Sequence, residues 1–239
     1  MKGGDFSTGS CLSCAATWRP DAAQLRPRGG FVALLAAALL ACSGVEDRRP
    51  PVWVAAEATQ HAREWVCALA DDCDEVRIRL EDTEAPSATL WFGVELGLSR
   101  GLYVATQEES EWVFVVAHEL GHRALRHQPP RDLARRLPLE LEADQWAIDR
   151  LCSKGLDPTS GRALISRFLA EEKRLQTLGD QRAKQADRQR SEIAVRELSA
   201  RQSLNFSCGA TRSSNPAPLL DPDRFARIRR LATLVPPSR

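Results

Sequence analysis

The amino-acid sequence predicts an α+β fold: a small three-stranded sheet, a helix that carries paired histidines, and a mainly helical C-terminal part. Segments typical of strands lie between residues 75 and 106, and segments with helical periodicity follow them. Of the 239 residues, 43% are hydrophobic and 27% are charged, which indicates a globular domain with its own core. The formal net charge of +1 gives no indication of a nucleic-acid partner.

Three strands are expected to form the sheet. Residues 75–81 alternate apolar and charged side chains, as a half-buried strand does. The segment 88–96 is expected to be the second strand, and GLSRG then turns the chain into a third strand at 102–106. A helix with apolar residues at helical spacing precedes the sheet at 52–70.

Capping signals delimit the helices that follow the sheet. Thr106 and Glu109 fit a capping box, so a helix is expected to begin there and to end before Pro129. Pro138 is suited to the first position of the next helix, which would end near Gly155. Further helices are predicted at 159–178, 179–203 and 224–234. The helix at 179–203 has only a weak apolar stripe and is expected to be exposed.

The N-terminus carries the signals of an exported lipoprotein. A basic patch at 26–30 precedes an apolar run at 31–41, which is too short to span a membrane as a helix. The letters LLAC, ending at Cys42, resemble the lipobox of bacterial lipoproteins, in which the cysteine is acylated. The alternative is a buried apolar helix with an incidental cysteine.

These signals divide the chain into three parts. We expect a leader at 1–41, a lipid-anchored linker at 42–51, and a domain at 52–239 whose helical C-terminal part covers about 157–239. A start codon assigned too far upstream would explain the length of the leader. The expected location is the cell envelope, on the periplasmic or outer face of a bacterial membrane.

Cysteine usage agrees with export. Four cysteines fall in the expected domain: Cys67, Cys73, Cys152 and Cys208. An even number in an exported domain indicates two disulfides, and three pairings are possible. We prefer Cys67–Cys73, which closes a short loop, together with Cys152–Cys208; buried free thiols are the alternative. Cys11 and Cys14 would leave with the leader.

The stretch VVAHELGH predicts a metal site. His118 and His122 are four residues apart and lie on one face of a helix, about 40° from each other, so both imidazoles can reach one ion. Glu119 lies about 100° further round and can act on a bound water without being a ligand. This H-E-x-x-H arrangement is typical of zinc hydrolases, in which the glutamate is the general base.

A third ligand is expected from the next helix. A catalytic zinc ion needs three protein ligands and an open position. Glu140 can complete the set, and Asp144, one turn further on, can accept a hydrogen bond from a ligand histidine. The loop between the two helices is long enough to bring them side by side. The alternative is a pair of charged amphipathic helices with surface histidines.

The remaining polar candidates fit the site less well. His127 is about 140° from His122 on a helix and is expected to interact with the helix dipole instead. His61 has no evident partner and is expected on the surface. Glu142 is expected to be solvated, and it is the fallback ligand if Glu140 is not one.

Together, VVAHELGH and ELEADQWA resemble the paired motifs of gluzincin metallopeptidases of the HtpX, BepA and CAAX prenyl protease type. The resemblance covers residues 75–150. It implies a zincin-like fold with one Zn²⁺ per chain on His118, His122 and Glu140, Glu119 as general base, and Asp144 behind a ligand histidine. It also implies that an edge strand, here 102–106, holds an extended substrate. The gap between the two motifs is shorter than in HtpX-like enzymes.

A third motif of this family is only partly present. The family carries H-P followed by R-I near the active site, whereas this chain has DPDRFARI, with Asp221 in place of the histidine. An ionised aspartate cannot donate a hydrogen bond to an oxyanion. Tyr103 and Arg227 are therefore the candidates for oxyanion support.

The function expected from the sequence is a lipid-anchored, zinc-dependent metalloendopeptidase that hydrolyses envelope proteins. Its partners would be a protein or peptide substrate and the membrane that holds its anchor. Two alternatives remain: a cytosolic regulatory protease similar to ImmA and IrrE, and a zinc-binding scaffold without activity. The leader disfavours the first, and the intact Glu119 disfavours the second.

If Cys42 carries the lipid anchor, its substitution should change where the protein is found in the cell. Cys42→Ala should release the protein from the membrane fraction or leave the precursor uncut, because the acylated thiol is lost. Palmitate labelling of the wild-type protein measures the modification directly, and an unlabelled wild type would contradict the anchor.

Overall fold

The computed structural model of the protein describes residues 52–128, 136–179, 185–209 and 220–234. In these ranges it is mostly helical with one small mixed sheet, so the α+β class is confirmed. The elements in chain order are α1 (Val52–Leu69), β1 (Arg77–Glu81), β2 (Ala88–Trp91), β3 (Glu95–Ser99), α2 (Arg100–Ala105), α3 (Glu109–Ala124), α4 (Arg136–Ser153), α5 (Thr159–Gly179), α6 (Gln185–Gln202) and α7 (Pro222–Leu234).

The expected leader and linker, with Cys11, Cys14 and Cys42, lie outside the described residues. Within the described ranges, no helix combines the length and the apolar character that crossing a membrane requires.

The sheet has the strand order β1–β3–β2. The central strand β3 is parallel to β1 and antiparallel to β2, and Leu96 pairs with Ile78 on one side and Leu90 on the other. Leu96 and Leu98 are fully buried, so β3 joins the sheet to the helical core. Strand β2 is left at one edge of the sheet.

The segment 88–96 is not one strand, as the sequence predicted, but a hairpin. It contains β2 and the start of β3, and the chain reverses at Phe92 and Gly93. Both residues have positive φ, 53° and 69°, which suits the twist of a tight hairpin. Phenylalanine is an unusual residue for a left-handed position, so the sequence carried no clear signal for this turn.

The third predicted strand, 102–106, is wrong: these residues belong to helix α2 and its C-terminal cap. Ser99 starts the helix by accepting a hydrogen bond from the Leu102 amide through its hydroxyl oxygen. Thr106 donates its hydroxyl proton to the Leu102 carbonyl and so closes α2 instead of capping the next helix. The apolar residues that suggest a strand are buried by packing of the helix, and tertiary contacts override their intrinsic preference.

Helix α3 begins at Glu109, whose buried side chain anchors the start of the helix through two hydrogen bonds. Glu109 accepts a hydrogen bond from Trp65 Nε1 at 2.8 Å and pairs with His61 Nε2 at 2.8 Å. The expectation that His61 lies on the surface is wrong, because it is 1% exposed. Its partner lies 48 residues away in sequence, and a negative charge is favourable at a helix N-terminus.

The core surrounds α3, and 11 of its 16 residues are buried. Its apolar side chains pack between α1, α4 and α5, and the largest fully buried ones are Trp112, Phe114 and Leu120. At Gly121 the helix approaches α4 so closely that an added Cβ would lie 2.9 Å from the Ala143 carbonyl oxygen. A glycine is therefore required where the two helices cross.

The predicted helices after the motif are present, with one correction. Helix α5 and helix α7 agree with the expected ranges, and the C-terminal end of α4 is followed by Gly155 at positive φ. Helix α6 packs against α5 and α4, and Glu197 and Leu198 are buried. Its last turns are therefore not exposed, because the charged residues on its inner face have partners on α4.

Two disulfides connect the chain in the pairing preferred from the sequence. Cys67–Cys73 closes a loop with a sequence separation of 6 next to α1. Cys152–Cys208 has a sequence separation of 56 and joins the end of α4 to the segment that follows α6.

The two loops differ in the chain entropy that they remove from the unfolded state. Replacing Cys152 and Cys208 by alanine should cost about 4 kcal/mol of unfolding free energy, and replacing Cys67 and Cys73 about 2 kcal/mol. Urea denaturation of the domain measures both values. An equal loss in the two double variants would contradict the loop-length argument.

Candidate metal centre

Helices α3 and α4 bring three potential ligands together. His118 and His122 stand one turn apart on α3, and their Nε2 atoms are 3.2 Å apart. Glu140 on α4 lies against both, with Oε2 at 3.2 Å from His118 Nε2 and Oε1 at 3.9 Å from His122 Nε2. One ligand atom from each residue lies within 4.8 Å of the others, so this group could hold a metal ion.

These separations suit a small tetrahedral ion. Ligands at about 2.0–2.1 Å from such an ion are roughly 3.3 Å from one another. The 3.2 Å between the two histidine nitrogens and the 3.2 Å between His118 and Glu140 agree with this value. The group is also largely enclosed, because His118 is 6% exposed and Glu140 only 2%.

Asp144 sets the tautomer of His118. The Nδ1 atom of His118 lies 2.8 Å from Asp144 Oδ1. An ionised carboxylate only accepts hydrogen bonds, so Nδ1 donates to it, and the lone pair of the neutral imidazole lies on Nε2, on the ligand side. Asp144 is completely buried and is placed as the sequence predicted, one turn from Glu140.

His127 and Glu142 act in the same way on His122. The His122 Nδ1 atom lies 2.9 Å from His127 Nδ1, and His127 Nε2 lies 3.0 Å from Glu142 Oε2. If Glu142 accepts from His127 Nε2, then His127 Nδ1 accepts from His122 Nδ1, and the lone pair of His122 lies on Nε2. In their neutral forms, both histidines therefore carry a lone pair on Nε2, the atom that faces Glu140.

The expected role of His127 at the helix dipole is wrong. Helix α3 ends at Ala124, and Arg126 adopts φ 55°, so the chain turns and returns His127 toward His122. The angle predicted from an ideal helix does not apply beyond the helix end. Glu142 is exposed, as expected, and is outside the ligand group.

Glu119 is buried beside this group and held by the sheet. Its Oε2 atom accepts a hydrogen bond from the Leu90 amide of β2 at 3.0 Å. Burial raises the pKa of Glu119, and the nearby Glu140 charge adds to that effect, although His118 and the Leu90 amide oppose it. A glutamate with a raised pKa is suited to accept and release a proton near neutral pH.

The buried carboxylates of α4 remain ionised. Burial alone would raise the pKa of Glu140, but the hydrogen bond and charge of His118 hold it well below its usual range. Burial would likewise raise the pKa of Asp144, and the charges of Arg201 and His118 lower it. Glu140 and Asp144 therefore both carry a negative charge at neutral pH, which favours a cation nearby.

The two histidines respond differently to this environment. Burial lowers the pKa of His118, as does Arg201, but Asp144 and Glu140 outweigh both and raise it to about 10. A metal ion that binds His118 must therefore displace a proton from its Nε2 atom. For His122, burial and the neighbouring His118 lower the pKa to about 3. His122 is therefore neutral, with its Nε2 lone pair available.

The expected oxyanion residues are not at this group. Tyr103 is buried in the core, where its hydroxyl donates to the Ala58 carbonyl at 3.2 Å. Arg227 pairs with Glu57 on α1. Asp221 accepts a hydrogen bond from the Arg224 amide and caps α7, so the DPDR letters are explained as a helix start. Helix α7, which carries Arg227, packs mainly on α1 and α2, whereas the ligands lie on α3 and α4.

Sequence reasoning missed three contributors to the site. Arg201 on α6 donates two hydrogen bonds to Asp144, Arg136 lies 3.5 Å from Glu140, and Leu90 holds Glu119. The sequence gives no local pattern that links these three residues to the ligand group. The partner of Arg201 lies 57 residues away, and no local pattern marks such a contact.

Comparison with known proteins adds no family to this description. No family model matches the chain, and no curated protein is significantly similar to it. The resemblance to gluzincin metallopeptidases therefore stays a prediction, and the geometry of the ligand group is the basis for a function.

The hydrogen bond between Asp144 and His118 predicts an effect on metal affinity. Asp144→Asn should weaken Zn²⁺ binding by about 10–100-fold, because an amide is a poorer acceptor and no longer fixes the His118 tautomer. Competition with a chromogenic chelator measures the dissociation constant. Asp149→Asn is the control, since Asp149 is exposed on the same helix. Equal affinity in the wild type and Asp144→Asn would contradict the role of Asp144.

Proposed function

We propose that the protein is a zinc-dependent metalloendopeptidase, lipid-anchored in the cell envelope. One observation carries the proposal: a buried glutamate, Glu119, stands beside two imidazoles and a carboxylate that place one ligand atom each within 4.8 Å of one another. A structural metal site has no use for an adjacent carboxylate with a raised pKa, whereas a hydrolase needs one.

Zinc suits the donor set best. Two imidazole nitrogens and one carboxylate oxygen are borderline ligands that zinc accepts readily. The ligand group found among the described residues contains three members, and three protein ligands leave a tetrahedral ion one open position. His118, His122 and Glu140 would hold the ion. When bound, zinc supplies a Lewis acid that polarises a carbonyl and acidifies water.

Glu119 would serve as the proton carrier of the reaction. The Leu90 amide holds its Oε2 atom, so Oε1 is the atom that would take the proton from the attacking water. Burial raises the pKa of Glu119, which lets it pass that proton on to the nitrogen of the leaving amine. Arg136 lies 3.5 Å from Glu140 and would be a candidate for stabilising negative charge, in place of Tyr103 and Arg227.

The edge strand β2 is the candidate for substrate binding. It lies at the end of the strand order, and it contacts α3 through Leu90 and Glu119. An extended peptide can pair with an edge strand through its backbone, which gives affinity for unfolded segments of many sequences. The substrate class would then be unfolded or extended polypeptide, and β2 takes the role first assigned to 102–106.

The disulfides support an extracytoplasmic site of action. Two disulfides in a small domain are typical of exported proteins and rare in the cytosol. They therefore favour the envelope enzyme over a cytosolic regulatory protease. Anchoring through Cys42 stays part of the proposal.

Two substitutions separate catalysis from metal binding. Glu119→Gln should lower cleavage of casein by at least about 10²-fold while Zn²⁺ content and thermal midpoint stay near wild type, because only the base is lost. His118→Ala should lose zinc and activity together, since a ligand is removed from a set of three. Chelator-sensitive casein cleavage by the wild type is the baseline.

Glu108→Gln is the matched control, because Glu108 is an exposed glutamate at the start of the same helix. It should cleave casein at the wild-type rate. A Glu119→Gln protein that did the same would contradict the mechanism. A wild type with bound zinc that cleaves no unfolded substrate would instead favour a scaffold.

A further inference from the structure

We propose that Arg201 is a positioning residue of the metal centre, which holds the Asp144 carboxylate in the orientation that fixes His118. The proposal rests on the metal-binding part of the proposed function and adds a residue from a helix that supplies no ligand. It concerns metal affinity, so it does not depend on whether the bound metal cleaves peptides.

Arg201 meets Asp144 through two parallel hydrogen bonds. Its Nε atom donates to Asp144 Oδ2 at 2.7 Å, and its Nη2 atom donates to Asp144 Oδ1 at 2.8 Å. This bidentate geometry fixes the plane of the carboxylate as well as its position. The same Oδ1 atom accepts the hydrogen bond from His118 Nδ1. The orientation of the His118 ring therefore depends on a carboxylate that Arg201 orients.

The guanidinium also faces the ligand carboxylate. Its Nη1 atom lies 3.6 Å from Glu140 Oε2 and 3.9 Å from Glu197 Oε1. Arg136 contacts the same two glutamates, at 3.5 Å from Glu140 and 3.3 Å from Glu197. Arg201 is thus hydrogen-bonded to Asp144 and also within ion-pair distance of Glu140.

The chain fixes Arg201 in this place from both directions. Arg201 lies in the last turn of α6, which packs against α5 and α4. Shortly after it, Cys208 is disulfide-bonded to Cys152 on α4, the helix that also carries Asp144. The side chain of Arg201 is 15% exposed. Because the backbone on both sides of Arg201 is already restrained, its side chain loses little further conformational entropy on pairing with Asp144.

The experiment measures metal affinity in five variants of the full chain. Arg201→Met should weaken Zn²⁺ binding at least about 10-fold, the lower end of the effect of losing a group behind a metal ligand. Arg201→Lys keeps the charge but not the bidentate geometry, so its affinity should lie between those of Arg201→Met and the wild type. The Co²⁺ absorption spectrum of each variant reports the ligand geometry separately from stability.

A double variant tests whether Arg201 acts through Asp144. If it does, Asp144→Asn combined with Arg201→Met should bind Zn²⁺ about as tightly as Asp144→Asn alone. Arg167→Met is the matched control, because Arg167 makes the same bidentate contact with a buried acid, Glu111, away from the ligands. It should leave the affinity and the spectrum unchanged.

Two results would overturn the proposal. One is wild-type affinity and spectrum in Arg201→Met; the other is a double variant whose losses multiply, since Arg201 would then act independently of Asp144. If Arg201→Met does not fold, Arg201→Lys decides: wild-type affinity contradicts positioning, and reduced affinity with an altered Co²⁺ spectrum supports it. A wild type that binds zinc tightly but cleaves nothing contradicts the peptidase proposal alone.

Discussion

The close crossing of α3 and α4 at Gly121 is the constraint on which the metal centre depends. An added Cβ there would lie 2.9 Å from the Ala143 carbonyl oxygen and 3.2 Å from its Cα atom. Any side chain would push the helices apart, and the 3.2 Å contact between His118 and Glu140 would open. The ligands come from two helices, so the glycine between them sets the size of the ligand group as directly as the ligands do.

A second constraint is the burial of charge at the same crossing. Glu140 and Asp144 are 2% and 0% exposed, and removing one partner of such a buried pair costs about 3–5 kcal/mol. Arg201 and Arg136 supply the compensating charge. The helical C-terminal part therefore contributes to the site through α6. This helix supplies no ligand, but its Arg201 neutralises the buried carboxylate of Asp144.

The sheet contributes to the site through one edge. Leu90 on β2 holds Glu119, while the central strand β3 is occupied on both sides. Strand β2 is one of the two edge strands, so the edge that positions the proposed base can also pair with an extended polypeptide. Base and substrate would be aligned by a single strand. An alignment of base and substrate by one strand fits a hydrolase of unfolded chains better than a metal-bound scaffold, because a scaffold needs no base beside its partner.

The α+β class, the range of most helices, a preference for the observed disulfide pairing and the group His118, Glu119, His122, Glu140 and Asp144 were predictable from the sequence. These depend on spacing within one helix or on counting cysteines, and local periodicity carries that information. The three-dimensional packing was needed to show that 102–106 is helical and that His61 is buried. It was also needed to show that Tyr103 and Arg227 lie away from the ligands and that His127 and Arg201 support them. Each of these depends on a contact with a distant residue or on a turn without a sequence signal. Hydrogen-bond partners such as Arg201 and Asp144, 57 residues apart, are chosen by packing, which no local pattern encodes.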